Sequence, residues 1–314
     1  MNQARRFFVL TLVLLLLATP ALADRFNYDN LKVKTILNNG PSAQKFDIVF
    51  VGDGFLPRTR SQYDSKVRSC LSTLWSVSPF RELKSRFNVH VVYIDSLPGQ
   101  GYGPDGRRKA EFPFGSQYKN DGSGMVLLSK PDKVREAAKN APQADAIIVI
   151  TTLSGRSHAG GMVLIADDQS ALPHELGHLI GHLGDEYSST SKLIDRERHR
   201  LPSNRPLPYP NIQIDKSIDT SSRKTIQKTA KWGHLLELPD SDPIVSAYQG
   251  GFYREVGVWR PSYSCVMRSS QGAIFCPVCH EEMYKSILRK CGERFHHESY
   301  HKQFPLTKWK TKMY

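Results

Sequence analysis

Cysteine is scarce in this 314-residue chain, with five in all. Cys276-Pro277-Val278-Cys279 is its only C-x-x-C pair. A zinc ribbon needs a second such pair, and a thioredoxin-like site needs the pair in an N-terminal βαβ context. Both are excluded. Past the first residues no apolar run is long enough to cross a bilayer, which takes about 20 residues. There is no internal repeat and no low-complexity tract, so a solenoid is excluded. Acidic residues are also short: 30 Asp and Glu stand against 43 Lys and Arg, a formal charge of +13. Such a surface suits anionic cell-envelope polymers or acidic substrates. No nucleic-acid recognition motif is present, and the export expected below removes nucleic acid as a partner.

The first 23 residues read as a targeting segment. Arg5-Arg6 is a basic start, Phe7 through Ala18 is a Leu-rich apolar stretch, and Ala21-Leu22-Ala23 is a small-residue cleavage site. The mature chain is expected to begin at Asp24, exported from a bacterial cell to the periplasm or beyond. No cysteine follows the cleavage site, which argues against a lipid anchor there.

Strand and helix signals then alternate. Phe46 to Val51 is a β-rich run stopped by the turn Gly52-Asp53-Gly54. Gln62 to Val77 has Val67, Leu71, Leu74 and Trp75 at helical spacing. Phe87 to Ile94 is a second strand, Ser96 to Gly124 a long surface loop, Lys130 to Ala141 a helix. Ala146 to Ile150 is continuously apolar, as in a strand buried on both faces. Met162 to Ala166 is a further strand, expected to form the edge where an extended substrate adds by β-pairing. The pattern predicts an α/β fold with a mostly parallel sheet over residues 24–182. From 183 to 314 it predicts an irregular C-terminal lobe, broken by Pro202, Pro206, Pro208 and Pro210. Helical periodicity returns at Pro277 to Cys291. The basic, aromatic tail from His296 reads as a solvated or loosely docked end.

His174-Glu175-Leu176-Gly177-His178 carries the chemistry. On a helix, positions i and i+4 share a face, so both imidazoles can reach one metal ion with Glu175 beside it as general base. A catalytic zinc takes three protein ligands and keeps one position for water. Gly181 sits where such a helix breaks, but the residue three later is Gly184, which has no side chain to offer. Asp185 is the first candidate for third ligand, Glu186 the second and His182 the third. Tyr187 and Tyr263 are candidates to assist the oxyanion. Together these residues point to a zinc hydrolase. The alternatives are a zinc amidase acting on cell-wall peptides, or a non-catalytic envelope-binding module that keeps zinc for stability.

Met267, in Arg260-Pro261-Ser262-Tyr263-Ser264-Cys265-Val266-Met267-Arg268, is placed to form a methionine turn under the metal. A disulfide between Cys265 and either Cys276 or Cys279 is expected to pin that turn, and the odd cysteine count leaves at least one thiol unpaired.

These residues resemble a known family, the secreted zinc metalloendopeptidases typified by bacterial IgA-specific metalloendopeptidase. The matching positions are His174, Glu175, Gly177, His178, Asp185, Glu186 and Tyr187. Val51-Gly52-Asp53-Gly54-Phe55, Ser78-Pro79-Phe80, Asn88-Val89, Lys231-Trp232 and the stretch from Arg260 to Arg268 are similar too. The resemblance runs from about Phe46 to Met283. It implies a metzincin-like catalytic domain with one bound Zn2+, Glu175 as catalytic residue, and a protein or peptide substrate. It does not imply IgA as that substrate.

Overall fold

The computed structural model describes residues 25–102, 108–166, 168–188, 201, 206–269 and 274–313. The expected targeting segment and Pro202 lie outside them. In chain order the first half carries β1 (Lys32–Leu37), β2 (Phe46–Asp53), α1 (Arg60–Ser76), β3 (Phe87–Tyr93), β4 (Leu97–Tyr102), β5 (Arg108–Glu111), β6 (Ser116–Tyr118) and β7 (Val126–Leu128). It continues with α2 (Pro131–Ala138), β8 (Ala146–Thr151), β9 (His158–Ala159), β10 (Val163–Ile165) and α3 (Leu172–Gly181). The second half adds β11 (Gln213–Ile214), α4 (Arg223–Thr229), α5 (Gly233–Leu236), β12 (Tyr248–Gly251), β13 (Arg254–Arg260), α6 (Pro277–Lys290), α7 (His297–Gln303) and α8 (Thr307–Met313).

The main sheet has six strands in the order β1-β3-β2-β8-β10-β9. The four inner strands pair in parallel, while β1 and β9 run antiparallel at the two edges. All eight residues of β2 are buried, because both faces are covered. Side chains alternate across a strand. Ile48 and Phe50 therefore join one core with Tyr63, Val67, Cys70 and Leu74 of α1 and Leu172 and Leu176 of α3. Val49 and Val51 join the other, with Val134, Ala137 and Ala138 of α2. Each such aliphatic burial contributes roughly 1.5–3 kcal/mol.

Three expectations need correction. First, β10 is not an edge. Val163 and Leu164 pair with Ile148 and Val149 on one side and with Ala159 and His158 on the other. The outer strand is β9, too short to signal itself in sequence. Second, the C-terminal half is less irregular than its prolines suggest, since β11, β13 and β12 form a small antiparallel sheet. The predicted loop from Ser96 to Gly124 likewise holds the antiparallel pair β4–β5 and the strand β6, which pairs with β7 just beyond it. Third, the tail is docked. Tyr300, Phe304, Leu306 and Trp309 are buried in the same core as Ile48, and the Trp309 indole donates to the Phe275 carbonyl at 2.9 Å. Its aromatics repeat at helical spacing, which buries them on one face while the lysines stay wet.

Candidate metal centre

Helix α3 is anchored by Leu172, Leu176 and Ile180, which face the core at i, i+4 and i+8. His174 and His178 lie on another face and line a cleft of about 850 Å³ with Glu175 and Asp185. The helix ends at Gly181, and His182 takes the left-handed conformation (φ 50°) that turns the chain. Gly181 itself is there for close packing: a Cβ on it would meet Met283 Sδ at 2.7 Å.

Each imidazole is fixed through its Nδ1. His174 Nδ1 lies 2.9 Å from the Val266 carbonyl and His178 Nδ1 lies 2.7 Å from the Leu183 carbonyl. A carbonyl only accepts, so both Nδ1 atoms carry hydrogen and both Nε2 atoms present a lone pair when the ring is neutral. The two Nε2 atoms are 3.2 Å apart. Asp185 Oδ1 completes the group, 3.1 Å from His174 Nε2 and 3.3 Å from His178 Nε2. Oδ1 is buried and has no hydrogen-bond partner. Tetrahedral coordination with bonds near 2.05 Å puts ligand atoms about 3.3 Å apart. Three converging acceptors at that separation fit a divalent cation.

The electrostatics favour positive charge at this point. Burial works to raise Asp185, but the two adjacent imidazoles hold it well below the ordinary carboxylate range. Burial works to lower His178, yet the proximity of Asp185 wins and lifts it to about 9. Glu175 is 7% exposed. Burial raises its carboxyl, against the opposing pull of His174 and His178. Arg156, also in the cleft, favours its charged form.

Other predicted residues fall elsewhere. Glu186 is fully buried and points into a different cluster, accepting from Asn211 Nδ2 at 2.9 Å with Cys279 Sγ 3.1 Å away. His182 is exposed at the cleft rim, outside the convergent group. Tyr187 lines the cleft, its ring stacked 6.3 Å from that of His174. Tyr263 is 52% exposed and packs on Tyr248 and Arg268 instead. Met267 does occupy a turn beneath α3, closed by Arg268 N–H donating to the Cys265 carbonyl at 2.9 Å. The expected disulfide is not formed, and all five cysteines are free thiols.

Tyr253 was not apparent in the sequence. Its hydroxyl donates to Asp185 Oδ2, and Phe252 N–H donates to the Asp185 carbonyl at 2.8 Å. The β12–β13 turn thus holds Asp185 by side chain and backbone. A lone Tyr in a hairpin, 68 residues away, carries no motif.

An α/β fold that presents two histidines one helical turn apart, with a carboxylate completing their set, has the form of a metallohydrolase. The chain belongs to the family described as IgA Peptidase M64, whose family model matches residues 34–244 and 206–287. It is therefore a metallopeptidase acting on protein or peptide. No curated protein matches it. Among the described residues no helix is long and apolar enough to cross a membrane.

Proposed function

We propose that the chain is an exported, zinc-dependent endopeptidase of metzincin-like build. His174, His178 and Asp185 would hold the ion, with Glu175 as general base. The observation that carries this reading is the convergence of two Nε2 lone pairs and the unpartnered Oδ1 of Asp185 within 3.3 Å. A zinc ion held there would supply Lewis-acid polarisation of the scissile carbonyl and make an attacking water more acidic. Glu175, its basicity raised by burial, takes the proton of the attacking water and returns it to the leaving amine. Burial keeps the Tyr187 hydroxyl protonated; it donates to the Tyr253 hydroxyl at 3.2 Å and would turn from there to donate to the oxyanion. Tyr253 orients Asp185 from behind.

The outer strand β9 borders the cleft through His158 and Ala159. A substrate strand is proposed to pair along β9. The leader-like first 23 residues support export, and the charge of +13 supports attraction to anionic envelope polymers. The mature chain is read as one catalytic domain, with residues 24–182 and 183–314 as its two lobes.

Glu175→Gln separates chemistry from metal holding. The variant is expected to keep its metal and lose cleavage of an unfolded protein substrate. Full cleavage by the variant would overturn the assignment of the base.

A further inference from the structure

We propose a second, structural zinc site formed by Cys265, Cys276, Cys279 and Glu186. The four ligand atoms lie within 4.8 Å of one another, and all four residues are buried. They come from three segments. Glu186 follows Asp185 directly, Cys265 opens the turn that carries Met267, and Cys276 and Cys279 lie at the start of α6.

The chemistry of the cluster is that of a metal shell. Glu186 is fully buried, and its Oε2 has no hydrogen-bond partner. A buried carboxylate oxygen left without a partner is strongly disfavoured unless something binds it. The other oxygen, Oε1, which accepts from Asn211 Nδ2 at 2.9 Å, is 3.1 Å from Cys279 Sγ and 3.9 Å from Cys276 Sγ, so the carboxylate as a whole lies against the sulfurs. Zinc bonds of 2.3 Å to sulfur and about 2.0 Å to oxygen set S–O separations near 3.5 Å, between those two values. Cys265 Sγ accepts backbone N–H groups from Met267 at 3.4 Å and Cys276 at 3.3 Å. Paired N–H donors aimed at one sulfur favour a thiolate, as outer-shell contacts do in metal sites. The thiol protons leave to solvent as zinc binds. Three thiolates and a carboxylate exceed the charge of one Zn2+, and the buried guanidinium of Arg260 offsets part of the excess through its attraction to Glu186. A site closed by four protein ligands has no room for a reactive water, so its role is structural.

The position gives that role a purpose. Glu186 N–H donates to the Met267 carbonyl at 2.8 Å, and the neighbouring Val266 carbonyl fixes His174 at 2.9 Å. An ion here would clamp the segment bearing Asp185 to the turn that orients His174.

The test is metal counting on the intact mature chain, with cobalt substitution as the spectroscopic readout. The wild type is expected to hold two zinc ions. The double variant His174→Ala/His178→Ala is expected to hold one, and its cobalt form to show thiolate-to-cobalt charge transfer. Cys279→Ser is expected to lose one ion and those bands; should it fail to fold, the double-histidine variant carries the test alone. A double-histidine variant without metal, or with cobalt but no sulfur bands, would overturn the proposal. So would a disulfide among Cys265, Cys276 and Cys279 in the purified chain. A wild type holding a single sulfur-bound ion, retained in the double variant, would remove the peptidase centre and leave this site standing.

Discussion

Met267 lies directly under Gly177: a Cβ on Gly177 would fall 2.5 Å from the Met267 sulfur. The helix bearing both histidines and the turn that fixes His174 are therefore in contact through a position with no side chain. Gly177→Ala is expected to push the two apart and cost roughly 1–3 kcal/mol. Thermal unfolding should show the loss. Met267→Ala should cost less in the Gly177→Ala background than in the wild type, because the two positions share one contact.

The choice of third ligand is open to direct substitution. Asp185→Ala is expected to lower zinc affinity and peptide cleavage by on the order of 100-fold or more, since a bound zinc needs three protein ligands. His182→Ala should leave both within about twofold, its ring being exposed and outside the group. Chelator competition and a cleavage assay on both variants decide it. Equal losses would place His182 in the coordination shell.

Tyr253→Phe removes one hydrogen bond to Asp185 Oδ2 and keeps the ring. Outer-shell partners of this kind are typically worth about 10–100-fold in metal affinity. That range is the expected weakening, read by zinc-buffered titration. Unchanged affinity would show that the backbone contact from Phe252 suffices to hold Asp185.

Acid stability should depend on His280. Burial pushes this imidazole from its ordinary 6.5 down to about 3. Its ring nitrogens meet the Tyr300 and Ser78 hydroxyls, each at 2.7 Å. The unfolded chain binds a proton at this residue below 6.5, whereas the folded chain resists until about 3. Stability from the neutral ring is thus full above 6.5 and falls away as pH drops toward 3. Urea midpoints between pH 7 and 4 should decline with a slope that His280→Gln flattens. Parallel slopes in the two proteins would contradict the buried neutral histidine.

The site was legible where chemistry and periodicity coincide. His174, Glu175 and His178 announce themselves because one helical turn sets their spacing, and Asp185 because the chain must turn after Gly181. The inner strands were legible because burial on both faces makes them continuously apolar. The outer strand was not: His158 and Ala159 form a pairing of two residues, governed by hydrogen bonds to β10 rather than by pattern. Tyr253 was silent because it acts from a distant hairpin turn. The tail misled because its lysines and histidines outnumber the aromatics that dock it. The cysteines misled in another way. Sequence counts sulfurs and pairs them, but cannot show that Glu186 enters their cluster.

The proposed peptidase centre depends on three atoms converging on one ion. Anomalous diffraction at the zinc edge, from crystals of the metal-loaded mature chain, tests this most directly. The predicted result is a peak about 2.0–2.2 Å from His174 Nε2, His178 Nε2 and Asp185 Oδ1. No peak at those atoms, or one bound through His182 or Glu186 in place of Asp185, would contradict it.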